Sequence, residues 1–170
     1  MFRINKIYGY IIMSFTKDKE SDNYSTDKIS WELIKDFIPK DKIIWCPFYS
    51  DGKQKIYFKE MGLDIIHDDK DFFNYTPKYD ILIDNPPFSK LREILNKLKK
   101  LDKPFILIMP TSKLNALWVQ RMFKKHLQLI IPKKQKLFFT HIDPKIIYTC
   151  GWGTYYYCYK MNLKKDLNFL

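Results

Sequence analysis

The chain has 170 residues, 46% of them hydrophobic and 17% aromatic, so it can bury one core and does not belong to the disordered class. Lys and Arg number 30 against 19 for Asp and Glu; the net charge of +11 favours a polyanionic partner, although a solvated lysine-rich surface would give the same excess. There is no stretch of about 18 uncharged apolar residues, so we expect no membrane span.

The N-terminal segment and the cysteines indicate the domain bounds and the cellular location. Residues 1–23 are expected to form an N-terminal arm before a single domain at 24–170, with Met13 as an alternative start. The apolar run at 7–15 lacks a small-residue cleavage site, which argues against a signal peptide. Three cysteines without a CxxC pair argue against a disulfide framework and a metal site, so we expect a reducing, cytoplasmic or nuclear location.

Apolar runs and apolar periodicity predict the helices and strands. Thr26 or Asp27 is expected to cap the first helix, and Gly62 to end the second. Ser89 and Ser112 are expected to cap the third and fourth helices. In chain order, the predicted elements are a helix at 29–38, strand 43–46, helix 53–61, strand 63–67, strand 79–83, helix 91–101, strand 105–109, a helix ending at 123, and strands 127–131, 136–139 and 154–161.

Strands that alternate with helices at this spacing predict an α/β fold with a Rossmann-like, doubly wound, mostly parallel sheet. Consecutive strands near the end of the chain predict that the terminal strand is antiparallel and pairs back as a hairpin. Ligands bind outside the carboxyl ends of the strands in such sheets. The segments expected there are residues 47–52, 67–73, 84–89 and 110–112.

One of these segments, Asp84-Asn85-Pro86-Pro87-Phe88, has the residues needed to bind an exocyclic amine. The lone pair of such an amine is delocalised into its ring, so an enzyme must orient it with hydrogen-bond acceptors. Asn85 offers a side-chain oxygen, and two prolines hold rigid carbonyls without competing N–H groups. Phe88 can stack on a flat base, a contact worth about 1–3 kcal/mol. A plain Pro-Pro turn between a strand and a helix is the alternative interpretation.

This segment resembles the catalytic motif of class I amino methyltransferases that use S-adenosylmethionine, in which an Asp, Asn or Ser is followed by Pro-Pro and an aromatic residue. The Asn-Pro-Pro-Phe form is similar to that of N6-adenine enzymes, and a related form occurs in a glutamine-modifying group. The resemblance covers roughly residues 24–112 and implies that Asn85, Pro86, Pro87 and Phe88 are catalytic. It also implies a class I methyltransferase fold.

The resemblance extends to the segment after the first predicted strand. Residues 46–52 are similar to the first methyltransferase motif, which binds the methionine end of the cofactor. Pro47, Phe48 and Gly52 match that motif, whereas Cys46 replaces its acid and Ser50 its first glycine. A simple turn between a strand and a helix is the alternative.

Other cofactor contacts are implied by position in the family. Asp51, Asp84 or a backbone carbonyl would take the place of the missing acid. Asp68 is the candidate for the ribose hydroxyls, and Asp71 with Phe72 for the cofactor adenine, unless this acidic segment is only a solvated loop.

A segment before the first helix completes the cofactor site that the resemblance implies. Tyr24-Ser25-Thr26 resembles a Tyr-x-Thr-Pro segment of adenine enzymes, with Asp27 in place of proline. Hydroxyls and amides at a helix N-terminus can hold the methionine carboxylate. Helix capping alone is the other interpretation.

A basic and aromatic segment near residue 135 is the candidate nucleic-acid surface. Lys133, Lys134 and Lys136 would meet phosphates, and Phe138 would stack on a base. An exposed loop over buried phenylalanines would have the same composition.

The sequence therefore predicts an adenine-N6 methyltransferase acting on DNA or RNA. A duplex target would require base flipping. The chain is too short for a separate target-recognition domain, so a homodimer or a partner subunit is expected to supply one, or the target is structured or single-stranded. Two alternatives remain open: a catalytically inactive methyltransferase-like subunit that binds nucleic acid, suggested by Cys46, and a protein side-chain amide methyltransferase, which the charge disfavours.

Overall fold

A computed structural model describes residues 22, 24–123, 125–133 and 153–170, together with the backbone of 139–141. The strands are β1 (Tyr24–Thr26), β2 (Ile44–Trp45), β3 (Ile65–Ile66), β4 (Ile81–Asp84), β5 (Phe105–Pro110), β6 (Leu127–Ile131), β7 (Phe139–His141), β8 (Thr154–Tyr159) and β9 (Leu167–Phe169). The α-helices are α1 (Lys28–Glu32), α2 (Lys53–Glu60), α3 (Leu91–Leu101) and α4 (Leu117–Phe123). None of the helices in these ranges is long and apolar enough to cross a membrane.

Seven of these strands form one sheet, in the order β3-β2-β4-β5-β8-β6-β9. The pairs β2–β3, β2–β4, β4–β5 and β6–β9 are parallel, whereas β8 is antiparallel to both β5 and β6. The predicted Rossmann-like, mostly parallel sheet with a late antiparallel strand is therefore confirmed.

The end of the chain differs from the prediction. The antiparallel strand β8 is not a terminal hairpin, because it lies between β5 and β6 and is followed by β9. The sequence did not predict β9, which is three residues long and has Leu167 and Phe169 exposed. Its pairing with β6, and not an apolar pattern of its own, defines it as a strand.

Helices cover both faces of the sheet, as a doubly wound fold requires. On one face Trp31 of α1 and Phe58 of α2 pack with Ile83 and other buried side chains. On the other face Ile94 of α3 and Phe123 of α4 pack in a second cluster. Because residues alternate between the faces and both faces are covered, the strands are continuous apolar runs, and this burial stabilises the sheet.

Three predicted helix caps differ in the structure. Asp27 is at the N-cap position of α1, but its side chain makes no capping hydrogen bond. Ser89 lies in a 3-10 turn, α3 begins at Leu91, and the Ser89 hydroxyl and N–H donate to Asp22 instead. Ser112 also lies in a 3-10 turn (Thr111–Asn115), and α4 begins only at Leu117.

A two-stranded ribbon lies outside the main sheet. β1 pairs antiparallel with β7, with Thr26 opposite Phe139 and Tyr24 opposite His141. The strand predicted at 136–139 overlaps the described residues only at Phe139, which belongs to this ribbon. The ribbon holds β1 at the position from which Thr26 reaches β4, as described below.

Candidate active site

The site lies where two neighbouring parallel strands end. β2 is hydrogen-bonded to β3 on one side and to β4 on the other, so the chain reverses its direction of winding between β2 and β4. Such a switch point is where open α/β sheets form a crevice for ligands. The loop at 46–52 follows β2, and the segment Asn85-Pro86-Pro87-Phe88 follows β4.

Asp84 joins these two segments. The backbone N–H of Phe48 donates to its Oδ2 (2.7 Å) and that of Asn85 to its Oδ1 (2.8 Å). Asp84 is only 1% exposed, and burial raises the pKa of this carboxyl well above its usual value even though both hydrogen bonds favour the ionised form. The two carboxylate oxygens of Asp84 therefore hold the loop after β2 and the segment after β4, on either side of the crevice.

Asn85 presents a free acceptor. Its Nδ2 donates to Thr26 Oγ1 (3.0 Å), so the amide is anchored at its nitrogen end. Its Oδ1 is buried and has no hydrogen-bond partner within the part of the chain that the structure describes. A buried polar atom without a partner is costly, and such atoms in folded proteins call for an explanation, such as a ligand. Pro86 adds a further backbone carbonyl beside Asn85, whereas the Pro87 carbonyl accepts the Lys90 N–H at 3.2 Å.

A cavity of about 340 Å³ brings the predicted groups together. Its lining includes the predicted residues Tyr24, Pro47, Phe48, Asp71, Phe72, Asn85, Pro86, Pro87 and Phe88. A small recess beside it is lined by Ser25, Thr26, Asp51 and Asp84, among others. Asp68 and Gly52 line neither space; Asp69 and Lys70, which follow Asp68, line the larger one.

Lys97 holds the wall of the cavity that Asp71 and Phe72 form. Its Nζ donates to the carbonyls of Phe72, Phe73 (3.4 Å) and Tyr75 (3.2 Å). The same atom lies 4.6 Å from the centroid of the Phe72 ring, and burial lowers the Lys97 pKa. This role of Lys97 was not predicted from the sequence. The available signal was a lysine three positions after Ile94, at the edge of the apolar face of α3.

The cavity also includes residues that the sequence did not single out. Phe73 lines it and is 40% exposed, and Asp22 lines it while holding Ser89. Lys70 and Lys90 add positive charge at the same opening. Aromatic faces and cations therefore stand together around the cavity.

The loop at 46–52 has the backbone form of a glycine-rich turn. Ser50 has φ of 49° and Gly52 has φ of 72°, both in the left-handed region that favours glycine. Ser50 thus has a backbone conformation that favours glycine, at the position where the motif that this segment resembles has its first glycine. A serine there retains the shape of the turn, but at a cost in backbone strain.

Cys46 does not supply the charge of the acid that it replaces. Burial raises the pKa of its thiol, followed in importance by the nearby Asp84 carboxyl, so the thiol stays neutral. Its carbonyl is hydrogen-bonded to Nδ1 of His67 (2.8 Å), and because a carbonyl only accepts, Nδ1 carries the proton. Burial lowers the pKa of His67, so its ring is neutral and Nε2 is an acceptor.

The substitution Gly52→Ala tests whether the turn at 46–52 needs the space beside Gly52 that the Tyr49 ring occupies. A Cβ at Gly52 would lie 2.8 Å from the Tyr49 hydroxyl, whereas one at Gly62 would meet nothing within 4 Å. Both glycines have positive φ, so alanine should cost about 1–2 kcal/mol of unfolding free energy at either position. We expect only Gly52→Ala to weaken ligand binding as well, measured by calorimetry with S-adenosylmethionine. Equal binding by the two variants would contradict this role for Gly52.

The candidate nucleic-acid surface is described only in part. Lys133 is exposed at the end of β6. Lys134, Lys136 and Phe138 lie outside the residues whose side chains the structure describes.

Comparison with known proteins gives partial matches. The chain is 30% identical to the type II methyltransferase M.EcoRI of Escherichia coli over 81 residues, which is 45% of this chain and 24% of that protein. Two solved structures match over most of the chain. The first is a precorrin-6y C5,15-methyltransferase from Geobacter metallireducens, at 8% identity and a TM-score of 0.44, over 87% of this chain and 100% of that one. The second is a putative methyltransferase from Streptococcus mutans in complex with SAH, at 15% identity and a TM-score of 0.37, over 76% of this chain and 95% of that one. No family model matches the sequence.

Proposed function

We propose that the chain is an S-adenosylmethionine-dependent methyltransferase that acts on the exocyclic N6 amine of adenine in DNA or RNA. The observation that carries this proposal is the buried Oδ1 of Asn85, which has no hydrogen-bond partner among the described residues and stands beside two prolines at the end of β4. The 30% identity with a methyltransferase over 81 residues agrees with methyl transfer as the reaction, although that match spans only 24% of the relative.

The chemistry follows from acceptors that are fixed before the substrate arrives. An aromatic amine donates two N–H groups, and Asn85 Oδ1 and the Pro86 carbonyl are acceptors suited to them. Accepting these bonds orients the nitrogen and draws its lone pair out of conjugation with the ring. Because the acceptors are already oriented, they need little reorganisation during the reaction.

The site suits the cofactor in volume and in shape. Its 340 Å³ is within the range of about 300–1,000 Å³ typical of small-molecule sites. Gly52 leaves room for the Tyr49 ring, which lines both the cavity and the recess, and Ser25 and Thr26 also line the recess. Asp71 and Phe72 form part of the cavity wall, for which we propose an adenine ring as the occupant. When bound, S-adenosylmethionine supplies an electrophilic methyl group.

A nucleic-acid substrate is supported by the charge and the aromatic rings at the opening. Lys70 and Lys90 line the cavity, and the whole chain carries +11. Phe88 and Phe73 are rings on which an extruded base could stack. Lys133, Lys134, Lys136 and Phe138 remain our proposed contacts to the strand beyond the base. A homodimer or a partner subunit would extend this surface and supply target selection.

The test is transfer of labelled methyl groups. The purified chain is incubated with labelled S-adenosylmethionine and, in separate reactions, with DNA, RNA and a protein mixture, followed by nucleoside analysis. We expect N6-methyladenine in one of the nucleic acids, with a rate that falls as salt rises because phosphate contacts release counterions. Label in protein glutamine or asparagine alone would replace this proposal with the amide-methyltransferase alternative.

One observation favours a second candidate, an inactive methyltransferase-like subunit that binds nucleic acid. The neutral, buried thiol of Cys46 stands where the family has an acid. Calorimetry separates the two functions: an enzyme binds S-adenosylmethionine and is stabilised by it against heat. Binding of nucleic acid without any heat or thermal shift from the cofactor would favour the subunit.

A further inference from the structure

The hydrogen bond between Asn85 and Thr26 engages the nitrogen end of the Asn85 amide. Nδ2 of Asn85 donates to Oγ1 of Thr26 at 3.0 Å, across 59 positions of sequence. Among the residues that the structure describes, Oδ1 is then the end without a partner. If the amide turned over, an N–H donor would face an amine that also donates, and the acceptor would be lost.

Thr26 is held by a structure separate from the sheet that carries Asn85. It is the last residue of β1, half-buried, and pairs in register with Phe139 of β7. The orientation of the amide therefore depends on the ribbon, whereas its position depends on β4.

We propose that Thr26 is a positioning residue for Asn85: its hydroxyl oxygen fixes the amide with Oδ1 toward the substrate amine. This inference rests on the proposed methyl transfer and goes beyond the cofactor role that the sequence assigns to Thr26. The two roles support each other: a hydroxyl that donates its one proton to the cofactor carboxylate can only accept from the amide, so Nδ2 is the end that faces it.

The substitutions Thr26→Val and Thr26→Ser test the proposal as a pair. Valine keeps the β-branched shape and removes the oxygen, whereas serine keeps the oxygen. We expect Thr26→Val to lower kcat about 10–100-fold, the order of loss for a misaligned reacting group, whether or not loss of the cofactor contact also raises the KM for S-adenosylmethionine. Thr26→Ser should retain kcat within about threefold of the wild type. A higher cofactor KM with unchanged kcat in Thr26→Val would overturn the positioning role.

A stability measurement tests the Thr26–Asn85 contact independently of the proposed methyl transfer. Thermal unfolding is recorded for Thr26→Val, Asn85→Ala and the double variant. Because the two side chains share one hydrogen bond, we expect the double variant to lose less in unfolding temperature than the sum of the single losses. Strictly additive losses would overturn the Thr26–Asn85 contact. A wild-type chain that transfers no methyl group but shows this coupling would instead refute only the proposed function.

Discussion

Replacing Asn85 with alanine is expected to lower kcat for methyl transfer by about 100-fold or more, while the affinity for S-adenosylmethionine stays nearly unchanged. The variant loses the buried Oδ1, to which no group in the described ranges donates, and which stands beside the Pro-Pro segment that lines the cavity. The proposed cofactor contacts come instead from the 46–52 loop, the Asp71–Phe72 wall and the ribbon. Single-turnover rates and calorimetry measure the two quantities independently.

Asn85→Asp is the matched control. A carboxylate keeps an acceptor for the substrate amine, and its second oxygen can accept from the Thr26 hydroxyl, which rotates to donate. The family motif that the segment resembles includes aspartate at this position. We therefore expect Asn85→Asp to retain far more activity than Asn85→Ala. Full activity of the alanine variant would remove Asn85 from the mechanism.

The strands next to the site could be predicted because buried strands are continuous apolar runs in the sequence. β4 and β5 are continuous apolar runs that end at proline-containing segments, and the structure has them within a residue or two of the predicted bounds. The predicted fold followed from the alternation of such runs with helices. β9 could not be predicted in this way, because it depends on pairing with β6 and has exposed apolar residues at its ends.

Side-chain hydrogen bonds between segments that are distant in the sequence could not be predicted from it. The bond from Asn85 to Thr26 and the lysine bonds from Lys97 to the wall at 72–75 depend on which loops the sheet order brings together. Ser89 shows the same limit: its type and position indicate a helix cap, but the carboxylate of Asp22 competes for it in three dimensions. Local preference predicts an element, whereas tertiary contacts decide what each polar side chain bonds to.

The sequence makes Asp84 one candidate to take the place of the acid that Cys46 replaces. In the structure, its two carboxylate oxygens accept the backbone N–H groups of Phe48 and Asn85. The carboxyl is thus part of the connection between the cofactor loop and the catalytic segment. Its effect on the cofactor would be exerted through the position of the Phe48 loop.

Asp84→Asn is expected to lower the free energy of unfolding by about 1–3 kcal/mol, the cost of leaving a buried N–H without an acceptor. An amide has one oxygen, so either the Phe48 N–H or the Asn85 N–H would face an NH2 group. Asp80→Asn is the matched control: the Asp80 Oδ2 also accepts a backbone N–H, from Ile43 at 2.8 Å, but in an exposed setting. Its loss should stay below about 1 kcal/mol, because water can replace the acceptor.

The cost of Asp84→Asn should also depend on pH in a defined direction. Because burial raises the folded-state pKa of Asp84 above the unfolded value of about 3.9, its stabilising contribution is complete below that value and is lost as pH rises through the folded pKa. Asparagine does not titrate, so the difference between the wild type and the variant should shrink as pH rises over this window. Denaturant unfolding of both proteins between pH 5 and pH 8 measures it. A difference that instead grows with pH would mean that the two backbone N–H bonds outweigh burial and hold the carboxylate ionised.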